Sequence, residues 1–517
     1  MYLFSLENTR IQRRKDMKSE LYGKEVLAMY DVRGIQSYIF KSNAAKEIIG
    51  ASKLVEKIVT EGLQEYIKTL EPSEQSRYMK DWESDDAEAF LKNSTIEMQV
   101  MFVGGGNAYV LFRKGDVCQK VNRFLAKYVL EKTYSLNLAV AVVEKTASYK
   151  DDYEAINTEM RRIKAHMPLT QPIGALPFMA ADSITGYPLT YKENGKYLCT
   201  EAKLKRACFP KNENEKVFDK MVTEKGDNST LAVCHIDGNS MGKRIQNIMR
   251  NITEYKDAIP TMRHLSLEIA EVFGNTFENM TAYMKQLSPK IKKNVKNNLY
   301  RKIIVAGDDI TFVCNAKLAL PAVKYFLSHV GEEKDYSACG GIAYFNSHFP
   351  FSDAYQVAEA CCDSAKKKAK IKENRGNDGL MIGNFFDFQV CTNIRAAHLD
   401  TYRDKHYLSD QGYFIARPYY VKVAKDTDGL NEKNQKYSVE WLEYWSEIFR
   451  KMPRSKAKQL RNVIPMGKNE IQKTISFLTS RGYKIFEESQ DEYQVWYDAL
   501  EIMDLFIGGE IENEDNN

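Results

Sequence analysis

Apolar positions along this chain fall into short runs and helix-spaced stripes, and the switches between the two come in the same order twice. Val26-Leu-Ala-Met-Tyr30 is an apolar run of strand length. Asp31-Val-Arg-Gly34 follows as a turn, and an amphipathic stretch through Leu54 and Ile58 predicts a helix. Beyond a polar region, 71–87, come the run Ile96 to Val103, the turn Gly104-Gly-Gly-Asn107 and the run Ala108 to Phe112. Glycine reaches positive φ without strain, so these segments predict a hairpin. A helix over Val117 to Tyr134 and a strand over Leu138 to Val143 complete the order βαββαβ, which closes as an antiparallel sheet with helices on one face, the ferredoxin-like arrangement.

Roughly 200 residues later the order recurs. Leu231 to Asp237 reads as a strand, a glycine-containing turn leads into a helical region that runs to about Lys292, and Lys302 to Cys314 reads as a second hairpin. Leu318 to Val330 is a helix, Ser337 to Phe345 a strand, and Ser352 to Lys372 a charged helix. Between the copies Pro168, Pro172, Pro177, Pro188 and Pro210 break any long helix. After Thr392 the chain carries Tyr, Trp, Leu and Lys at helical spacing and ends in the acidic tail Glu510 to Asn517. The expected fold is α+β: a first ferredoxin-like unit over 1–164, a connector over 165–225, a second such unit over 226–392 and a helical domain over 393–517.

Composition narrows the classes. The chain has 517 residues, with 74 Lys and Arg against 70 Asp and Glu for a net charge of +4, and it is 44% hydrophobic. Length allows about three domains with cores of their own and excludes a fibrous or disordered chain. The balance is not that of a polycation wrapped on nucleic acid. No apolar run reaches membrane-spanning length, Met1 to Lys18 is mixed polar and basic, and nine cysteines include no CxxC pair. A cytoplasmic, reducing location away from any membrane is expected, and the adjacent Cys361 and Cys362 read as buried and unreactive.

The sharpest chemistry lies in the second copy. Asp237 ends one strand, and Asp308-Asp309 lie in the turn of the hairpin expected beside it. Clustered carboxylates repel one another, and the arrangement becomes favourable around a hard divalent cation, Mg²⁺ or Mn²⁺, which would bridge nucleotide phosphates and orient in-line attack on phosphorus. Gly238-Asn239-Ser240-Met241-Gly242 leads straight into a helix and offers main-chain N–H groups to a triphosphate, and Gly307 lets a nucleotide approach the backbone. Asp-Gly-Asn and Gly-Asp-Asp are also ordinary turn sequences. Their joint placement at matching strand ends favours the catalytic reading.

These residues carry a resemblance. Leu231 to Asn377 resembles the second palm domain of the Cas10 family, the large subunit of type III CRISPR effectors, itself related to the GGDEF cyclases. Ala306-Gly-Asp-Asp309 is similar to its GGDD turn, His235-Ile-Asp-Gly-Asn-Ser-Met-Gly242 to its first metal-binding strand and phosphate turn, and Cys339-Gly-Gly-Ile-Ala343 to the following strand. Cys362-Asp-Ser-Ala-Lys-Lys-Lys-Ala-Lys370 falls in register with the cyclase helix in which Lys370 takes the place of a phosphate-contacting lysine. The run 366–368 reads instead as a solvated helix face. Asp31 to Phe40 with Gly50-Ala51-Ser52 resembles the family's first palm, whose turn here is Gly104 to Asn107, and Gly106 and Asn107 cannot replace two carboxylates. The resemblance implies metal ligands at Asp237, Ile236, Asp308 and Asp309, ATP as substrate and a cyclic oligonucleotide as product. It also implies an acceptor nucleotide at Gly50 to Ser52, with a purely supporting first palm as the other reading. The chain contains no His-Asp dipeptide, so the HD nuclease activity of many family members is not expected, and the connector lacks their CxxC zinc pattern. Expected partners are nucleoside triphosphates, RNA or effector subunits, and a second copy of the chain. The competing readings are a silent RNA-binding scaffold and a diguanylate-type cyclase that uses GTP.

Overall fold

Five consecutive buried residues open the strand Val26–Arg33 (β1), as expected of a strand covered on both faces. The computed structural model describes residues 20–507 apart from 105–106, 168–171, 173, 212–217, 224–228, 293–297, 333, 377, 392–397, 425, 427–428 and 484–491. Met1 to Lys18, Gly106, Pro168, Thr392 and the tail Glu510 to Asn517 therefore lie outside the described residues. The chain is mixed α+β and divides into two compact units, Met1–Glu213 with Gly242–Ala270, and Asn214–Met241 with Glu271–Asn517.

In the first unit β1 joins Tyr78–Met79 (β2), Met98–Gly104 (β3), Asn107–Phe112 (β4) and Asn137–Glu144 (β5) in the order β2-β3-β4-β1-β5. The pairs β3–β4, β4–β1 and β1–β5 are antiparallel. Leu27, Met29, Tyr109, Leu111, Ala139 and Ala141 pack with Tyr149, Ile156 and Met160 of the helix Tyr149–His166. That helix starts where Ser148 Oγ accepts a hydrogen bond from the Asp151 amide. The proline-broken connector holds a short hairpin, Leu189–Glu193 (β6) with Lys196–Cys199 (β7), and the helix Thr200–Ala207.

In the second unit Thr230–Gly238 (β8), Tyr300–Ala306 (β9), Asp309–Asn315 (β10) and Ala338–Asn346 (β11) repeat the arrangement, with β11-β8-β10-β9 all antiparallel. Beyond β11 the sheet continues with Asn384–Cys391 (β12), parallel to it. After the small hairpin Leu408–Ser409 (β13) and Gly412–Tyr413 (β14), Tyr419–Val421 (β15) pairs antiparallel with β12. The region expected to be helical thus also contributes an edge strand, alongside its helices Val439–Lys451, Arg454–Val463, Lys468–Ser480 and Tyr493–Ile502.

The helix Phe351–Ala369 lies on β11 at a glycine. A Cβ on Gly341 would stand 1.9 Å from the Ala358 carbonyl oxygen and 2.4 Å from the Cys362 nitrogen, so only glycine permits this approach. Cys362, Ala365 and Ala369 then pack with Cys339, Phe385 and Tyr420, which fixes the rotation of the helix and where its remaining side chains point. Cys361 and Cys362 are buried and their thiols are pushed up by burial, as expected of inert cysteines.

Candidate functional site

Strand alternation puts His235 and Asp237 on one face of β8, with Ile236 fully buried between them. In register, Asp237 stands opposite Asp309 on β10 and opposite Cys339 on β11. The β9–β10 turn is Gly307-Asp308, with Gly307 at φ +63°, the left-handed region that favours glycine. The Gly238 amide donates to the Asp308 carbonyl at 3.2 Å, and a Cβ on Gly238 would meet the Asp308 Cβ at 2.7 Å. Strand end and turn therefore touch, which sets Asp308 beside Gly238 and Asp309 across from Asp237.

The electrostatics follow from that closeness. Burial, and then the Asp237 charge, push the Asp308 carboxyl up to about 6, against an opposing pull from Lys366. Burial also raises Glu359, with His235 pulling it down and Asp363, Asp309 and Asp237 adding to the rise. His235 Nδ1 lies 3.0 Å from Thr311 Oγ1 and 3.6 Å from Asp309 Oδ1.

Lys366 corrects the solvated-face reading of the run 366–368. Its Nζ hydrogen-bonds Asp237 Oδ2 and reaches the Gly238 carbonyl at 3.4 Å. Burial works against its charge, but the Asp237 carboxylate outweighs this and the lysine is held above its usual range. Lys367, by contrast, is exposed and pairs with Asp400 at 3.3 Å. The helical net carried the signal: Lys366 follows Cys362 by one turn and precedes Ala369 by three residues, both on the buried face.

The phosphate-turn residues have mixed roles. Asn239 is buried, its amide bonded to the Ser337 carbonyl at 2.8 Å and its side chain donating to the Gly383 carbonyl at 3.1 Å. Ser240, at φ +59°, accepts the Met381 amide on Oγ at 3.2 Å. Met241 and Gly242 open the helix Met241–Met249, and a Cβ on Gly242 would meet nothing within 4 Å. Lys370 is the exposed C-cap of the helix Phe351–Ala369. Gly50 and Ala51 are buried within the helix Ala45–Glu56. A Cβ on Gly50 would stand 1.9 Å from the Lys205 carbonyl, so this glycine seats one helix on another, while Ser52 is half-buried. Among the described residues no three His, Cys, Asp or Glu side chains are grouped as a metal cage.

The first unit repeats the register with different chemistry. Asp31 of β1 stands opposite Asn107 of β4, as Asp237 stands opposite Asp309. The Asp31 carboxylate is ion-paired with Lys164.

The raised Asp308 sets a sign for stability. Its folded value lies above the roughly 3.9 of an unfolded aspartate, so the folded state holds the proton more tightly and stability falls as pH rises from about 4 through about 6. In EDTA, Asp308→Asn is expected to match wild type in melting temperature near pH 4, gain on it across that interval and keep a constant advantage above about pH 7. Melting curves in which the gap ignores pH contradict the assignment.

No helix among the described residues is long and apolar enough to cross a membrane. No family model and no curated protein matches the chain. Solved structures similar to it include a Csm1–Csm4 cassette in complex with cA4, 13% identical over 93% of this chain and 70% of the matched chain at a TM-score of 0.49. The apo cassette is 13% identical with the same coverages and a TM-score of 0.48. The Csm1–Csm4 subcomplex of the type III-A CRISPR-Csm interference complex is 12% identical over 93% and 69% of the two chains, at a TM-score of 0.45. Each of these likenesses runs over 93% of this chain and over 69–70% of the matched chain.

Proposed function

We propose that the carboxylate cluster at the end of β8 is the active site of a nucleotidyltransferase that joins ATP molecules through their 3′ hydroxyls, releases pyrophosphate and closes a cyclic oligonucleotide signal of antiviral defence. On this reading each sheet is a ferredoxin-like palm, and the protein works as a subunit of a type III CRISPR-like effector. The observation that carries the proposal is the in-register pair Asp237 and Asp309 with Asp308 folded against Gly238, where burial and then the Asp237 charge raise the Asp308 carboxyl to about 6.

The residues fit Mg²⁺ or Mn²⁺ delivered with a nucleotide. Such a cation needs one or two protein carboxylates and completes its shell with phosphate oxygens and water, so no full protein cage is required. Asp237 and Asp308 would hold it with Asp309 as a third ligand, and Ile236 has only a main-chain oxygen to offer. When bound, the cation neutralises charge on the phosphates and lowers the barrier to in-line attack. The protein's own part is positioning. With the Gly238 and Asn239 amides bonded to the Asp308 and Ser337 carbonyls, main-chain N–H groups for the phosphates would come from Ser240 and Met241, where the helix Met241–Met249 begins, while Gly307 keeps the turn free of a Cβ where the nucleotide approaches and Lys370 offers a positive charge at the helix end. The first unit has Asn107 where a second carboxylate would be needed, and its Gly50 is used in helix packing, which favours a supporting role for it.

The test is incubation of the full chain with each of the four nucleoside triphosphates and Mg²⁺ or Mn²⁺, with and without RNA, followed by mass spectrometry. ATP is expected to yield pyrophosphate and cyclic oligoadenylate. A product from GTP alone selects the diguanylate-type alternative. RNA binding with no turnover of any triphosphate selects the scaffold and overturns the proposal.

A further inference from the structure

Asp237 is not left bare. The ammonium of Lys366 bonds its Oδ2, with the lysine side chain 17% exposed and the aspartate side chain 36% exposed. The first unit contains the same device. Asp31 at the end of β1 is paired with Lys164, and both lysines come from the last turns of the helix that follows the fourth strand of the repeat, Tyr149–His166 in one case and Phe351–Ala369 in the other. Two units with different hairpin turns each place a lysine on the strand-end aspartate.

The charge balance differs between them. In the first unit one lysine meets one carboxylate, because Asn107 stands opposite Asp31, and the pair is neutral. In the second unit Asp309 stands where the first has Asn107, and Asp308 lies against Gly238, so the carboxylate that Lys366 holds belongs to a cluster and not to a single pair. The Asp237 oxygen bonded to Lys366 is one that a divalent cation would need.

We propose that Lys366 is a resident counter-ion which holds Asp237 while the site lacks a divalent cation and gives up the carboxylate when the cation enters, whereas Lys164 holds Asp31 permanently. The inference rests on the reading of this cluster as a cation-assisted nucleotide site. A lysine is suited to the exchange, being a compact charge on a flexible four-carbon stem that can leave Asp237 while the helix stays packed on Gly341. Once released, its ammonium is free to meet phosphate oxygens of the incoming nucleotide.

Two measurements on the full chain, without nucleotide, test this. Titration calorimetry with MnCl₂ is expected to show Lys366→Met binding Mn²⁺ about tenfold more tightly than wild type, and Lys366→Arg staying within about threefold of it, since removal of a competitor releases its coupling to the cation. Independently of any variant, brief labelling of wild type with acetic anhydride, read by peptide mass spectrometry, is expected to modify Lys366 several times faster in saturating Mn²⁺ than in EDTA, with Lys164 unchanged. Unaltered Lys366 labelling, or Mn²⁺ affinity that Lys366→Met leaves the same or weakens, overturns the exchange. Equal Mn²⁺ binding by wild type and by an Asp237→Asn, Asp308→Asn double variant shows instead that no cation binds at the cluster, which sinks the cation-site reading itself.

Discussion

Replacing Asp308 and Asp309 together by asparagine is expected to lower the proposed product formation from ATP at least about a thousandfold, with the melting temperature at pH 7.5 unchanged or raised. The first half follows from what the pair would do. Stabilising charge on a reacting phosphate through a bound cation is worth several kcal/mol, and each 1.36 kcal/mol is a factor of ten in rate. The second half follows from what the pair does in the folded protein, where burial and the Asp237 charge already push Asp308 up to about 6. Asparagine keeps the shape of each side chain and removes the repulsion. A residue kept for stability shows the opposite combination, with activity intact and the fold weakened. Product analysis by mass spectrometry beside a melting curve reads both. Turnover within tenfold of wild type would remove these aspartates from the chemistry.

Where the physics was local, the elements could be read from the sequence. β1 and β8 are apolar runs because they are covered on both faces, and the Gly307 turn was signalled by a glycine that takes positive φ. The meeting of Asp237 with Asp309 followed from placing a strand end beside a hairpin turn. What escaped the sequence depends on partners far along the chain. β12 contains Asp387, an unlikely residue for a buried strand until Arg403 supplies two hydrogen bonds of 2.8 Å to its carboxylate. The helix Tyr149–His166 is polar over much of its length and owes its place to Tyr149, Ile156 and Met160 in the core. Lys366 stands in a run of three lysines, where composition favours solvent, and only the rotation of the helix imposed by Gly341 and Cys362 turns it toward Asp237. Gly50 shows the converse ambiguity. Phosphate approach and helix packing both require a missing Cβ, and the Lys205 carbonyl 1.9 Å from where it would stand shows packing at work.

Arg417→Met is expected to cost about 3–5 kcal/mol and to lower the melting transition by about 10 °C, through a network far from the carboxylate cluster in sequence. The Arg417 side chain is fully buried. Its guanidinium lies 2.9 Å from Asp498, donates to Glu501 at 2.5 Å and to the Phe388 carbonyl at 2.7 Å, and stacks 4.1 Å from the centre of the Phe388 ring. It thereby ties the helix Tyr493–Ile502 to β12. Methionine fills much of the same volume, so the loss comes from Asp498 left without its cation and Glu501 left with its longer 3.4 Å pair to Arg461, not from a cavity. Burial raises the Asp498 carboxyl even with Arg417 opposing it, and without that arginine the rise is larger. The folded variant then prefers the protonated acid, so its deficit relative to wild type shrinks as pH falls and is widest at high pH. Adding Asp498→Asn to Arg417→Met removes one stranded charge and recovers part of the loss, a coupling that melting curves of the four proteins at pH 5 and pH 8 measure directly. A single-variant shift under about 2 °C at pH 8, or a deficit that grows on acidification, would show that the helix is held to the sheet by its apolar contacts instead.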